Sequence, residues 1–400
     1  MSKFFKILKY SGLLLLFFSG LVCEAQPQTW LPGYRYRKKI NIDKSKVEFE
    51  NSTVRSWKDY YVLVELEDPG LRHLEDAFEN KITHPEGLDI AFSDSTVPVV
   101  RLPFQLVSYN AQTGKLVCWV LLPELQAKNS IAAATSFYFF YGSAVLHQPH
   151  DPVVESMWGV GYHHVEHFNE AAEGMIGTGK SFNGIFDQKL VGSHTNVAYT
   201  LSAWIKLNEL GKEQMIVTND SARVGGYQLQ VNKENRLVFT VTSLTTPRTF
   251  IGSSVLKINE WYYVSISLNN SRFVFLKNGS REYNNAASNF IATAPAQVVI
   301  GASKTGDQFF NGIIDDLKIS KIAKPAALLL TEYVNQVNPK GFYSVEPEVV
   351  NPNLDPYAYT FLGMSSDYRS TTNWVLRAYP GDNKNIIIGA GQTAAISTNV

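Results

Sequence analysis

The feature that most constrains the fold is a series of short strand-like segments between Tyr199 and Ser320. Each segment is rich in β-branched and aromatic residues, alternates apolar with polar positions, and is bounded by Gly, Asn or Ser. No helical period separates them. The main segments are YTLSAWIKL, NEWYYVSISL, FVFLKNG and FFNGIIDDLKIS. This pattern predicts an all-β antiparallel sandwich.

The same region resembles the concanavalin A-like, laminin-G-like jelly-roll family. The resemblance is carried, in order, by GKSFNG, YTLSAWIKL, GYQLQV, NEWYYVSISL, FLKNGSRE, VVIGAS and FFNGIIDDLKISKIAKPAALL. It implies a jelly roll over residues 158–337. It does not identify a ligand, because this fold hosts lectins, glycosidases, protein-binding modules and structural domains.

A second sandwich is expected before it, over residues 30–147. Six strand-like runs separated by Gly, Pro, Asn and Asp turns support this expectation. The segments YRYRKKINID, GLDIAFSD, VPVVRLPFQLVSYN, KLVCWVLLPEL and FYFFYGS resemble the DUF2341 family. That family implies a β-sandwich of bacterial and archaeal surface proteins without a settled activity, and its members are often followed by a laminin-G-like domain.

The remaining segments suggest how the modules are joined. Residues 148–158 are expected to connect the sandwiches, and VEHFNE to begin the second one. The run after Lys324-Pro325 predicts a short closing helix. Residues 345–357, with three prolines, predict a semi-rigid linker. Residues 358–400 resemble the opening of β-repeat modules from Bacteroidetes surface proteins and stop within the pattern, so we expect the chain to continue in a longer polypeptide.

The N-terminus predicts export. Lys3, Lys6 and Lys9 precede the apolar run Leu13–Val22, and a small-residue cleavage site ends at Ala25. Residues 1–25 therefore fit a secretory signal peptide, too short to span a bilayer. Lipidation of Cys23 is the alternative, although a lipoprotein signal favours a small residue where Val22 stands. The mature chain then holds only Cys118, so no intrachain disulfide can form, as suits a bacterial envelope.

The charge balance limits the classes of binding partner that we expect. The chain has 36 basic and 36 acidic residues and no long run of one sign. Neither nucleic acid nor an anionic membrane surface is therefore expected as a partner. The predicted location is the cell surface or the extracellular medium.

The most conspicuous histidine cluster is His163, His164, Glu166 and His167. Alternation along a strand puts His163 and His167 on one face, and His164 and Glu166 on the other. This divides a potential ligand set, and the helical zinc motif H-E-x-x-H is missing. Hydrogen bonding at a domain junction is favoured over a transition-metal site.

Asp315 and Asp316 lie in the middle of the strand-like segment NGIIDDLKIS. One of the two carboxylates must point towards the sandwich interior or its rim, and an inward carboxylate needs a cation or several N–H donors. The jelly-roll resemblance implies a structural calcium with Asp315 as a ligand. Hydrogen bonding of the carboxylate to loop N–H groups is the alternative.

Sequence patterns for catalysis are missing. Glucanases of this superfamily carry two Glu residues on one strand in an E-x-D-x-E run, and this chain has no such run. A G-x-S-x-G elbow and a phosphate loop are also missing. We therefore predict a chain without enzymatic activity.

Recognition by rim loops is the remaining hypothesis. Sugar sites need exposed aromatic rings beside hydrogen-bonding side chains. Trp204 and Trp261 are expected in the core, while conceivable loop contacts are Tyr162, Tyr283, Phe309 and Phe310. The predicted function is non-catalytic surface binding or adhesion to a glycan or protein. The alternatives are a substrate-targeting region of a larger polysaccharide-active enzyme and a structural spacer.

Overall fold

The computed structural model describes most of the chain between residues 29 and 361. The described ranges are 29–75, 80–143, 152–168, 170–194, 198–219, 226–243, 246–269, 272–283, 296–352, 359–361 and 386–388. The predicted signal peptide, with Cys23, lies outside the described residues, as does most of the predicted module 358–400.

The N-terminal part of the chain forms strands that match the predicted runs. They are β1 (Tyr34–Ile42), β2 (Ser56–Glu67), β3 (Ile90–Asp94), β4 (Arg101–Leu102), β5 (Phe104–Asn110), β6 (Lys115–Gln126) and β7 (Ser136–Ser143). Two short 3-10 turns follow β1 and β2, at Lys44–Lys46 and Pro69–Leu71.

Helix α1 (Pro152–Gly161) then leads into the second set of strands. These are β8 (Tyr162–Glu166), β9 (Ala172–Glu173), β10 (Thr178–Asn183), β11 (Lys189–His194), β12 (Tyr199–Leu207), β13 (Gln214–Thr218), β14 (Tyr227–Val231), β15 (Arg236–Ser243), β16 (Thr246–Val255), β17 (Trp261–Leu268), β18 (Phe273–Lys277), β19 (Ser280–Arg281), β20 (Ala296–Ile300) and β21 (Asn311–Ser320).

The chain ends with a second helix and short strands. They are α2 (Ala326–Val337), a 3-10 turn (Pro339–Gly341), β22 (Tyr343–Val345), β23 (Val349–Val350), β24 (Tyr359–Phe361) and β25 (Ile386–Ile388). The predicted closing helix is confirmed, with Pro325 at its N-cap. Helix α1 was not predicted; it occupies the segment expected only as a connection.

The strands form two sandwiches, as the sequence predicts. One sheet of the first sandwich has the order β22-β1-β7-β3-β4, with β23 also on β1, and faces the sheet β2-β6-β5. The second sandwich pairs the sheet β19-β18-β17-β12-β21-β10-β9, to which β8 adds on β21, with the sheet β11-β20-β13-β14-β15-β16. A separate parallel pair, β24 and β25, lies in the predicted third module. The protein is an all-β protein.

Strand β12 shows why the second sandwich could be predicted from the sequence. Its inward side chains, among them Leu201 and Ile205, lie in the core between the two sheets. Its outward Trp204 is only 1% exposed because it packs against helix α2, where its Nε1 donates to Gln336 Oε1 at 2.8 Å. Both faces of this sheet are therefore covered around β12.

The segment after α2 returns to the first sandwich. Tyr343 pairs with Ile42, and Val345 with Ile40, across the β22–β1 ladder. Phe342 is fully buried in the first core. The structure thus differs from the predicted linker 345–357, because Val345 and Val349–Val350 complete a sheet of the first sandwich. Pro347 lies between β22 and β23 without preventing either strand from pairing with β1, and residues 353–357 of the predicted linker lie outside the described residues.

No helix among the described residues has both the length and the apolar character that crossing a membrane would require.

Candidate functional site

A β-bulge in β21 places both predicted carboxylates on the face away from the jelly-roll core. Trp204 pairs with Asp315 and Ser202 with Lys318, so two residues of β21 oppose one residue of β12. Asp316 takes up the extra residue with a φ of +49°. The core residues Ile314 and Leu317 flank the pair.

Asp315 is fully buried and held by backbone donors. Its Oδ2 accepts the N–H of Ile176 at 2.8 Å, whereas its Oδ1 has no hydrogen-bond partner. The close approach needs a glycine, since a Cβ on Gly174 would lie 2.6 Å from Oδ2. Burial, reinforced by the charge of Asp316, raises the pKa of Asp315 to about 7.

These surroundings bear on the calcium that the resemblance implies. Calcium takes six to eight oxygen ligands, roughly, at 2.3–2.6 Å. The hydrogen bond to Asp315 comes from the Ile176 N–H to Oδ2, and Oδ1 has no hydrogen-bond partner among the described residues. Within the described ranges, no three His, Cys, Asp or Glu side chains are grouped to hold a metal ion. The hydrogen bond from Ile176 supports the hydrogen-bonded alternative, and a structural calcium at Asp315 stays a prediction.

Asp316 belongs to a buried charged triad. Its Oδ1 lies 2.9 Å from His167 Nδ1 and its Oδ2 2.5 Å from Lys318 Nζ. Lys318 Nζ also lies 3.6 Å from the centroid of the Trp119 ring, which belongs to the first sandwich. Burial alone would raise the pKa of Asp316, but Lys318 and His167 outweigh it and lower that pKa. Burial lowers the pKa of Lys318, against the effect of Asp316.

The triad lies in the junction between the sandwiches, where apolar residues of both pack together. Tyr61 of β2 stacks on Trp158 of α1 with ring centroids 4.4 Å apart, and Tyr61 Oη donates to the carbonyl of Met157 at 2.7 Å. Lys324 Nζ lies 2.6 Å from Glu332 Oε1 and donates to Tyr162 Oη at 2.7 Å. The side chains at this junction are therefore engaged in structural contacts, and the junction is closed.

The histidine cluster is divided differently from the prediction. His164 Nε2 lies 3.5 Å from Glu166 Oε2, so these two share a side as expected. His163, however, stacks on His194 of β11 at 4.9 Å, while His167 contacts Asp316 at the junction. The shared face predicted for His163 and His167 is wrong. A register shift in the β8–β21 pairing falls at His163 and breaks the alternation.

Most of the aromatic residues considered as loop contacts are covered. Tyr162 is 6% exposed and Phe310 is fully buried. Tyr283 packs against the jelly-roll core, and Phe309 is half-buried. Trp204 is buried as expected, whereas Trp261 is only partly buried.

The most exposed apolar pair on the jelly roll was not predicted. Ile185 and Phe186 are 69% and 67% exposed at the tip of the turn after β10. Asn183 Oδ1 accepts the N–H groups of Ile185, Phe186 and Asp187 at 2.9, 3.1 and 3.3 Å, and Asp187 Oδ2 accepts the N–H of Asn183 at 2.9 Å. The Asn-Gly dipeptide before two apolar residues was the available sequence signal.

Two further loops join this turn to form one end of the jelly roll. We call residues 183–188, 208–213 and 303–311 the rim. Gly184 N–H donates to the carbonyl of Phe310 at 2.9 Å, and Asn208 N–H to that of Asn311 at 3.0 Å. Asn311 Nδ2 donates to Glu209 Oε2 at 3.0 Å. The three loops are therefore mutually braced by hydrogen bonds.

The charges of the rim suit hydrogen bonding to a ligand. Hydrogen bonds from Lys212 and Asn311 lower the pKa of Glu209, which keeps its carboxylate ionised at neutral pH. Gln308 Nε2 donates to Glu213 Oε2 at 2.9 Å. The rim thus presents an exposed aromatic ring and an exposed isoleucine beside carboxylate and amide groups.

These features define a two-sandwich β protein with an exposed, hydrogen-bonded rim on its jelly roll. In keeping with that class, residues 185–327 match the family model described as the concanavalin A-like lectin/glucanases superfamily. No curated protein matches the sequence.

Three solved structures illustrate the similarity. A native heptameric SAP-like pentraxin from Limulus polyphemus is 14% identical, covering 43% of this chain and 93% of that chain, with a TM-score of 0.33. The receptor binding domain of botulinum neurotoxin D is 17% identical, covering 43% and 48%, with a TM-score of 0.36. Domain 4 of an extracellular arabinanase from Geobacillus stearothermophilus, in complex with arabinotriose, is 20% identical, covering 40% and 79%, with a TM-score of 0.32.

Proposed function

We propose that the chain is a non-catalytic binding protein, exported to the cell surface or secreted, whose jelly roll holds a glycan or protein ligand at the rim. The supporting observation is the pair Ile185 and Phe186, which is exposed to solvent although its loop is fixed by hydrogen bonds. A rigid loop loses little conformational entropy on binding, so exposed apolar side chains on it serve well as anchors.

A binding site on the rim loops is typical of a β-sandwich. Rigid sheets carry loops at their ends, and binding residues are concentrated on such loops. Phe186 offers a ring face for a sugar or a hydrophobic contact for a protein, and the neighbouring Glu209 and Asn311 supply hydrogen-bonding groups. A binding role in general also agrees with the concanavalin A-like match over residues 185–327.

Two binding screens test the proposal. A glycan array and an affinity capture from envelope or matrix extracts are run with residues 26–400 and with the double variant Ile185→Ser/Phe186→Ser. At least one ligand of the parent chain should bind at least tenfold more weakly to the variant. The control is Ile322→Ser, which removes a 57% exposed isoleucine away from the rim. A chain that binds nothing in either screen, or a double variant that keeps every ligand, overturns the proposal.

A further inference from the structure

The outer face of the first sandwich carries a group of basic and aromatic side chains on β1, β4 and β7. Across the β1–β7 ladder, Arg37 pairs with Phe140 and Lys39 with Tyr138. The alternate residues Ile40 and Phe139 lie in the core. Alternation therefore turns Arg37, Lys39 and Tyr138 to the side facing away from that core.

Arg37 is held in a fixed position between two rings. Its Cζ lies 4.3 Å from the centroid of the Trp30 ring and 4.3 Å from that of the Tyr138 ring. Nη1 donates to the carbonyl of Thr29, while Nε is buried without a hydrogen-bond partner. The side chain is thus positioned as a preformed donor, with part of its hydrogen-bonding capacity unused.

The charge of Arg37 is not matched by an anion. In the part of the chain that the structure describes, no carboxylate lies within ion-pair distance of this guanidinium. Burial lowers its pKa, opposed by Tyr138, which reports that water has been partly removed from around it. A partly dehydrated cation without a counter-charge is unfavourable, and the stacked rings compensate for only part of that cost. An external anion would remove the deficit.

Two more cations extend the positive surface on either side of Tyr138. Lys39 is adjacent, and its Nζ lies 3.7 Å from Glu346 Oε1, both side chains being exposed by a third or more. Arg101 is exposed and lies two strands away, since Tyr138 pairs with Ser93 and Ser93 with Arg101. With strands roughly 4.8 Å apart, the backbone of Arg101 lies about 10 Å from that of Tyr138. We call Trp30, Arg37, Lys39, Arg101 and Tyr138 the basic aromatic patch.

We propose that the basic aromatic patch binds an acidic polysaccharide through its carboxylate or sulfate groups. The Arg37 guanidinium can donate a charge-assisted hydrogen bond from Nη2 to such an anion, and Lys39 and Arg101 lie on either side of Tyr138, in the direction of the next charges along a chain. The ring of Tyr138 provides an apolar surface for the C–H face of a sugar, which favours a polysaccharide over an acidic peptide or a lipid headgroup. The site is separate from the jelly-roll rim.

Matched polymers test the ligand class. Binding of residues 26–400 to dextran sulfate, polygalacturonate and uncharged dextran is measured by isothermal titration calorimetry at 0.05 and 0.15 M NaCl. We expect both acidic polymers to bind, more weakly at the higher salt, and dextran not to bind. Binding that is equal for dextran, or absent for both acidic polymers, overturns the proposal. Anionic vesicles or polyglutamate binding as tightly as the acidic polysaccharides also overturns it.

Variants test the site. Arg37→Gln should weaken the binding of acidic polymers at least tenfold. Arg37→Lys should weaken it by an intermediate factor, because lysine keeps the charge but loses the planar group that stacks between Trp30 and Tyr138. Lys39→Gln, at a more exposed position, should weaken the binding of acidic polymers severalfold without affecting folding. Lys257→Gln, which removes a 74% exposed lysine on the other sandwich, should change nothing. Unchanged affinity in both Arg37→Gln and Lys39→Gln contradicts the assignment. Ile185→Ser/Phe186→Ser should retain this binding, which separates the patch from the rim.

Discussion

Asn335 of helix α2 makes both backbone hydrogen bonds that Leu63 of β2 offers on its open side. Its Oδ1 accepts the N–H of Leu63 at 2.7 Å and its Nδ2 donates to the carbonyl of Leu63 at 3.0 Å. Because β2 is at the edge of its sheet, the amide side chain replaces a neighbouring strand there. The helix that follows the jelly roll is thereby fixed to the first sandwich.

Replacing this side chain should weaken the first sandwich. Asn335→Ala leaves two buried backbone groups of Leu63 without partners, and each such group costs about 1–3 kcal/mol. We expect the free energy of unfolding to fall by about 2 kcal/mol or more, measured by urea denaturation. Val337→Ala, at a 40% exposed position two residues along, should change it by about 0.5 kcal/mol or less. Equal effects of the two substitutions would contradict this account of Asn335.

The return of the chain to the first core gives a second prediction. Phe342 follows the jelly roll in sequence but is fully buried in the core of the first sandwich. Phe342→Ala should lower the free energy of unfolding by about 3–5 kcal/mol, through lost burial and a cavity. Ile322→Ala at an exposed site is the control. A loss below about 1 kcal/mol would show that residues 342–350 do not complete this sandwich.

Lys318 tests the buried junction. Removing one partner of a buried ion pair leaves the other charge uncompensated, which typically costs about 3–5 kcal/mol. Lys318→Met should therefore destabilise the protein strongly, and adding Asp316→Asn should recover a large part of the loss. The exposed pair Lys257–Glu260 provides the matched control, with a loss of about 1 kcal/mol or less for Lys257→Met. Additive effects of Lys318→Met and Asp316→Asn would rule out the coupling.

Asp315 predicts a pH-dependent stability. Its pKa is about 7 in the folded protein, against an ordinary value of 3.8. Between these values the folded state binds more protons than the unfolded state, so this group lowers stability as pH rises, with the full loss above pH 7. Asp315→Asn keeps an acceptor for Ile176 N–H without the charge. It should stabilise the protein by about 2–4 kcal/mol at pH 8 and change little at pH 4.

Asp316→Asn should change the stability at pH 8 in the opposite direction to Asp315→Asn. The pKa of Asp316 is lowered, so its charge contributes stability that is lost only as pH falls through that low value. Asp316→Asn should therefore destabilise at pH 8. Loss of stability in Asp315→Asn at pH 8 would contradict the account. So would a melting temperature that rises with added calcium and falls with chelator, since an ion bound only to the folded state must stabilise it.

The fold was largely predictable from the sequence because the signal is local. The alternation in YTLSAWIKL and NEWYYVSISL reflects strands in which every second side chain lies in the jelly-roll core, so it predicts these strands from local sequence. The junction was not predictable, since the bulge at Asp316 and the register shift at His163 depend on pairing with distant strands. Proline content suggested a linker after Val345, where tertiary pairing with β1 prevailed.

The candidate sites also depend on contacts that the local sequence does not show. Tyr162 and Phe310 are aromatic residues near loops, but only the folded structure shows that both are covered. Conversely, the Asn-Gly dipeptide marks a turn before Ile185 and Phe186, but only the folded structure shows that the cap made by Asn183 leaves both side chains exposed. Nothing local links Arg37 to Trp30 and Tyr138, since the last of these comes from another strand.

The most direct measurement is a hydrogen-exchange footprint of the chain with the tightest ligand from the screens whose affinity Arg37→Gln leaves unchanged. Our account predicts slowed amide exchange in the rim, over residues 183–188, 208–213 and 303–311, with no slowing there when Ile185→Ser/Phe186→Ser is mixed with the same ligand. A ligand bound at full affinity that leaves exchange in all three loops unchanged would contradict it.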